Sequence, residues 1–458
     1  MPPDEAPGSR PDGCRLGLVL GLLVLPQYVA LGAPSVALPE IGRALGVPFG
    51  ATAWVLAAWS LTSALAMPIA GGLVARWSPF RVLGAGVVAL AAGSALAGAG
   101  PALPVVVAGR LVGGAGAGAT VIAVFALATT VPRPERTRAL GVIAAVSATA
   151  SACGTLLGGA VTEWLGWRAV LAVPVLALPA LLAVLPHKRT FTRIGEGGAD
   201  RSAGRFDVLG AAMLSVVAAS LMALLQAHSV GLSAEVTVVV AVAGALGAVG
   251  LWWRVRRTPH GFVPRRVIGA RGFLSAGLVG ATVFAGYYGV LFVAPSLIER
   301  TTGGGALAAG ALLLPAAACS VVAGRLVGVT TGRVAEWQVL AGLAALTAAG
   351  VVVVAVFDGP VPVVVGTALT VCGFAGGQAV LVGLAPELVA AHDRDTAQGL
   401  LNFMVFLGGG VGPATVAGLS GAVGAPVVLA VLAVLPLGGL VLSTTRRPGP
   451  VSDPMTSR

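Results

Sequence analysis

Long apolar runs separated by short polar breaks fill the chain. A helix needs about 20 mostly apolar residues to cross the hydrocarbon core of a bilayer. Runs of that length recur near 16–38, 51–74, 82–99, 103–127, 139–162, 167–186, 207–227, 234–253, 272–296, 305–328, 337–357, 360–386, 396–419 and 424–443. The pattern predicts an all-α integral membrane protein with fourteen transmembrane helices. Only two of the breaks between runs are long, 187–206 and 254–271, and they isolate one hairpin of two spans at 207–253. The expected organisation is a tail at 1–15, a six-helix bundle at 16–186, a linker at 187–206, the hairpin, a linker at 254–271, a second six-helix bundle at 272–443 and a tail at 444–458.

Composition supports lipid as the solvent. The chain is 57% hydrophobic and 10% charged, with a mean hydropathy of +0.96, against roughly 25% charged residues in soluble domains. The 67 glycines have two readings: close helix packing, which small residues permit in membranes, or a compositional bias of the genome. The net charge of +11 raises nucleic acid as a partner, but its distribution answers to topology. With the N-terminus in the cytoplasm, only Arg43, Arg168 and Arg300 fall in outer loops and only Arg110 falls inside a span; the other Lys and Arg are on the inner side. That asymmetry follows the positive-inside rule. It predicts a multi-pass protein of the bacterial cytoplasmic membrane with both termini cytoplasmic, and no nucleic-acid partner. The segment MPPDEAPGSRPDGCR lacks the basic character of a leader, so the first apolar run is expected to be retained. Cys14, Cys153, Cys319 and Cys372 form no C-x-x-C pair, so neither a metal nor a cofactor is expected.

The two six-span blocks echo each other. GGLVARWSPFR (71–81) and GRLVGVTTGR (324–333) follow the second span of each block, and ACGTLLGG (152–159) and GGGVGPATVAG (408–418) lie in the fifth spans. Parallel six-span repeats are the architecture of the major facilitator transporters; the alternative is chance recurrence in a glycine-rich chain.

The ordered motifs resemble the fourteen-span drug/proton antiporters of the major facilitator superfamily, from about residue 16 to 443. SVALPEI (35–41) resembles the end of that family's first span. AWVLAAWSLTSALAMPIAGGL (53–73) resembles its second span, and GRLVGGAGAG (109–118) its fourth-span arginine motif, with Arg110 as the arginine and Gly113 in place of Gln. GTLLGG (154–159) resembles the antiporter motif, with Thr155 in place of Pro. LGWRAVLAVPV (165–175), RFDVLGAAML (205–214) and GALAAGALLLPAA (305–317) resemble the sixth span, the start of the extra hairpin and the tenth span. The resemblance implies a monomeric secondary transporter that exports lipophilic small molecules by alternating access, with protons as the coupling ion. It assigns gating or packing to Gly72, Arg76, Arg81, Gly154, Thr155, Gly158, Gly159, Gly412 and Pro413. Two departures bear on mechanism. The family's usual first-span Asp is Ala30 here. In the loop after the second span the usual Asp is Ala75, with Gly328 as its counterpart in the second half, and the second Gly is Ser78.

All 17 acidic residues fall in tails, loops or span ends, and so do the four His. Proton coupling normally uses a titratable group inside the membrane. Arg110 is the ionisable residue that does lie there. It either snorkels and hydrogen-bonds span ends, or lines the transport path, where it would favour neutral or anionic substrates. Gln27 is its candidate partner. Tyr28, Trp54, Trp59, Tyr287, Tyr288, Gln378, Asn402 and Phe406 are candidate cavity-lining residues, whereas Trp252, Trp253 and Trp337 are expected as interfacial anchors. The rival readings are an uncoupled facilitator, a transporter-like sensor, and a membrane enzyme built on HDRD (392–395). No G-x-x-x-x-G-K-[ST] motif occurs, which argues against an ATP-driven pump.

Overall fold

The computed structural model describes residues 13–74, 76–128, 133–184, 207–258, 261–330, 334–384, 387–390 and 393–444. Its α-helices of six residues or more are α1 (Gly13–Leu45), α2 (Ala53–Val74), α3 (Pro79–Ala99), α4 (Leu103–Ala128), α5 (Arg133–Leu165), α6 (Trp167–Ala172), α7 (Ala177–Val184), α8 (Val208–Leu225), α9 (Ala234–Arg257), α10 (Phe273–Thr302), α11 (Ala306–Thr330), α12 (Glu336–Val356), α13 (Pro360–Leu384), α14 (Arg394–Val423) and α15 (Ala425–Thr444). Among the described residues, twelve helices are long and apolar enough to cross a membrane. The other two predicted spans fall on α5, 33 residues long, and on α6 and α7, which a 3-10 turn at Val173–Leu176 separates. Ala75, residues 1–12 and 445–458 of the tails, and the linker at 187–206 lie outside the described residues.

Glycine placement answers the packing question for many positions. A Cβ on Gly93 would overlap the backbone of Gly113, and one on Gly116 would overlap Leu90, so α3 and α4 touch backbone to backbone. Gly13, Gly17 and Gly21 recur every four residues on one face of α1, and a Cβ there would come within 2.5 Å of Glu135 O, 2.7 Å of Ala139 O and 3.1 Å of Val146 Cβ on α5. Further along, Gly158 of α5 meets Ala33 of α1, so the two helices run parallel. Gly408 and Gly412 of α14 press against the carbonyls of Ala281 and Ala285 on α10. Contacts this close supply the dispersion energy that holds helices together where lipid removes the hydrophobic drive.

Two seams join the first six-span block to the second. Helix α2 lies antiparallel to α14, with Pro68 at Gly399 and Ala57 at Gly410. Helix α5 lies antiparallel to α11, with Gly159 against Ala306 and Gly310 against Thr155. At the end of the molecule that carries Glu40, Phe49 stacks on Phe292 at 4.9 Å between centroids, and the Glu40 carboxylate accepts from the Trp167 amide at 3.4 Å.

The hairpin helices pack on each other through Gly244, Gly247 and Gly250, which face Ser220, Val216 and Met213. Met222 of α8 reaches Gly410, on the α2–α14 seam. Helix α9 has no buried residue among those described, which suits a helix surrounded by lipid. Its last turn carries Arg256 over the Trp252 ring at 3.8 Å and Arg257 over Trp253 at 4.1 Å, as interfacial anchors do.

Asp207 latches the hairpin. It caps α8 by accepting from the Gly210 amide at 2.8 Å, accepts from the Phe262 amide at 3.0 Å, and pairs with Arg254 Nε at 2.6 Å. Burial alone would favour its neutral form, but the two amides and the guanidinium outweigh burial and hold the carboxyl below its ordinary value. A lowered carboxyl contributes stability above its unfolded-state pKa, and that contribution is lost as pH falls through the folded-state value. Asp207→Asn is expected to cost about 1–3 kcal/mol, seen as a lower melting temperature of the purified protein at neutral pH and a smaller difference from wild type in acid.

Candidate functional site

The site forms where α1, α2 and α4 meet. Gly113 and Gly114 leave room on α4 for α2: a Cβ at Gly113 would lie 3.0 Å from the Trp59 ring, and one at Gly114 would lie 2.6 Å from the Trp59 carbonyl. Ser63 Oγ donates to the Gly114 carbonyl at 2.9 Å across the same contact. This close approach lets Arg110, one turn earlier on α4, reach over α2.

Arg110 is 1% exposed. Its Nε donates to the Val55 carbonyl at 2.8 Å, its Nη2 donates to the Ala30 carbonyl at 3.3 Å, and its guanidinium lies 4.0 Å above the Trp59 ring. Among the described residues no carboxylate pairs with it, and Nη1 has no hydrogen-bond partner. A buried guanidinium is strongly disfavoured without compensation. Here two carbonyl dipoles and an aromatic face compensate it in part, and one N–H edge is left for something else. Gln27 lies one turn before Ala30 and is 2% exposed. It does not hydrogen-bond Arg110, and its Oε1 also lacks a partner. On α5, Thr155 Oγ1 is buried and unpartnered too.

A second cluster is aromatic. Gly409 leaves space beside the Tyr288 ring, 3.1 Å from where its Cβ would be. Tyr287 lies 4.9 Å from Tyr288 and 4.5 Å from Phe374, and Phe284 lies 4.6 Å from Phe374 and 5.9 Å from Phe406. Tyr28 of α1 packs against the same hydrophobic core that contains Tyr287 and Tyr288, which links this cluster to the helix that carries Gln27.

The other sequence candidates are placed apart. Trp54 is half-buried at the start of α2, Gln378 is half-buried on α13 and Asn402 is buried on α14; none of them hydrogen-bonds Arg110. Gly72 lies in the last turn of α2, and Arg76 and Arg81 are exposed around the turn into α3. Ser78 caps α3, accepting from the Arg81 amide at 3.2 Å. Gly154, Gly158 and Gly159 lie on the α5 faces turned to α1 and α11, and Pro413 follows Gly412 within the continuous α14. Within HDRD, His392 lies outside the described residues. No group of three His, Cys, Asp or Glu able to hold a metal occurs among the described residues. The sequence reading missed Phe284 and Phe374, which nothing distinguishes from lipid-facing phenylalanines, and it missed the two carbonyls that hold Arg110.

Comparison with known proteins follows this geometry. The Major Facilitator Superfamily profile matches residues 20–413. The chain is 28% identical over 334 residues to the multidrug resistance protein Stp of Mycobacterium tuberculosis, covering 72% of this chain and 60% of that one. It is 30% identical over 440 residues to the puromycin resistance protein pur8 of Streptomyces alboniger, covering 90% and 83%. It is 31% identical over 304 residues to the cephamycin export protein CmcT of Amycolatopsis lactamdurans, covering 63% and 60%. Among solved structures, an auto-inhibited POT family peptide transporter superposes with a TM-score of 0.67 at 13% identity, over 97% of this chain and 99% of that one. The human organic anion transporter MFSD10 superposes with a TM-score of 0.61 at 17% identity, over 95% and 100%. At these identities the superpositions bear on fold alone. The profile match spans most of the chain, and with it the protein belongs to the major facilitator superfamily.

Proposed function

We propose that this protein is a secondary transporter that exports lipophilic small molecules bearing an anionic or hydrogen-bond-accepting group. The observation that carries the reading is the buried Arg110, which among the described residues has no carboxylate partner and leaves Nη1 without an acceptor. The aromatic cluster around Tyr287, Tyr288 and Phe374 supplies an apolar wall, and a pocket of that kind suits a ligand with one polar head. The two six-helix blocks rock about this site along the α2–α14 and α5–α11 seams, exposing it to each side in turn. The arginine-rich loops face the cytoplasm of a bacterial cell, and the chain works as a monomer of the fourteen-span drug-efflux group. The relatives named for drug and antibiotic resistance or export support this assignment.

Coupling is the open variable, and one observation favours an uncoupled facilitator as the second reading: the α1 position next to the guanidinium offers a carbonyl, Ala30, rather than an acid. Flux in proteoliposomes, with and without an imposed pH gradient, across a panel of neutral, anionic and cationic lipophiles, separates the two. Gradient-driven accumulation of anions and neutrals, with cations excluded, is the antiporter result. Flux indifferent to the gradient selects the facilitator. Transport confined to cations would overturn the substrate assignment.

A further inference from the structure

Helix α1 runs unbroken from Gly13 to Leu45 although it contains Pro26, Pro34 and Pro39. The Gly32–Pro34 stretch, which by sequence alone suggests a loosened backbone, is helical, and the Ser35 hydroxyl donates to the Gly32 carbonyl at 2.6 Å. A proline inside a helix has no N–H for the carbonyl four residues earlier. Pro34 therefore leaves the Ala30 carbonyl without its helical donor, and this carbonyl is the one that accepts from Arg110 Nη2. Among the hydrogen bonds described, no side chain from another helix reaches the carbonyls that Pro26 and Pro39 free, Leu22 and Ser35.

We propose that Pro34 is a positioning residue for Arg110: by withholding an amide, it makes the Ala30 carbonyl the acceptor that holds the guanidinium where an α1 carboxylate would otherwise stand. Two consequences follow from the chemistry of a carbonyl. It does not titrate, so the grip on Arg110 is independent of pH in a way that a carboxylate's is not. It carries no net charge, so the positive charge of the site stays available to a bound anion. The second consequence rests on the transport reading above, while the first does not.

The test needs no substrate, so its outcome is separable from that reading. Melting temperatures of the full-length protein in detergent are compared in a cycle of wild type, P34V, R110M and P34V/R110M. Valine supplies the missing amide to Ala30 and relieves the helix in both backgrounds, but it puts a competing donor on the carbonyl that holds Arg110 only where Arg110 is present. The P34V shift should be more positive by at least about 2 °C in the R110M background. Equal shifts in the two backgrounds would overturn the proposal. The second arm is A30D/P34V, in which a carboxylate replaces the carbonyl. Its melting temperature should match or exceed that of P34V at neutral pH, then fall in acid as the new aspartate protonates, a limb absent from P34V. A30D/P34V with the same pH profile as P34V would also overturn it.

Discussion

Arg110→Ala is expected to lower the transport efficiency for anionic lipophiles by about 10- to 100-fold, the range of one or two lost charge-assisted hydrogen bonds. The loss should be much smaller for neutral substrates, which draw on the aromatic wall as much as on the guanidinium. Arg110→Lys makes the comparison sharper. Lysine keeps the charge, but an ammonium cannot donate to the Val55 and Ala30 carbonyls from a planar fork while lying flat on Trp59. It should therefore retain the preference for anions with a weaker KM. Initial rates in proteoliposomes check both variants. Unchanged rates for every substrate in Arg110→Ala would reduce Arg110 to a clamp between α1, α2 and α4.

Gly159→Leu is expected to abolish turnover for a different reason. Even a Cβ at this position would come within 2.5 Å of the Ala306 carbonyl and 3.1 Å of Leu307 Cα, and backbone cannot yield as a flexible side chain can. The leucine would wedge α5 from α11 at the end of the molecule that carries Glu40. Ala309, fully buried on α11, is the reporter. In a background without the native cysteines, Ala309→Cys should react only slowly with a membrane-impermeant maleimide, as the seam opens in turnover, and much faster when Gly159→Leu is added. Full transport by Gly159→Leu would mean that this seam never needs to close.

Much of the architecture was legible along the chain because the bilayer imposes a length. Among the described residues each predicted apolar run falls largely on helix, and the hairpin is announced by the long polar breaks on either side of it. The glycines were legible only as a count. Gly93 and Gly113 meet across neighbouring helices, but Gly159 and Ala306 are separated by nearly 150 residues of chain, and no local pattern says which glycine faces which backbone. Arg110 stood out as the charge that lipid should reject. Its partners did not, because a backbone carbonyl carries no side-chain signature. Ala30 looked like a loss, and Pro34 looked like a weak point in the helix.

The sequence alone determined that this is a multi-helix membrane protein, where its helices run, which loops are basic, and that one cation, Arg110, lies well inside an apolar span. Those properties depend on the transfer of local segments between water and lipid. The tertiary structure decided what the cation touches. Helices α1, α2 and α4 approach closely enough for Arg110 to lie between two carbonyls and a tryptophan face only because Gly113 and Gly114 are bare and Pro34 leaves one carbonyl free. That coincidence is one of three-dimensional packing, and no segment of the chain contains it.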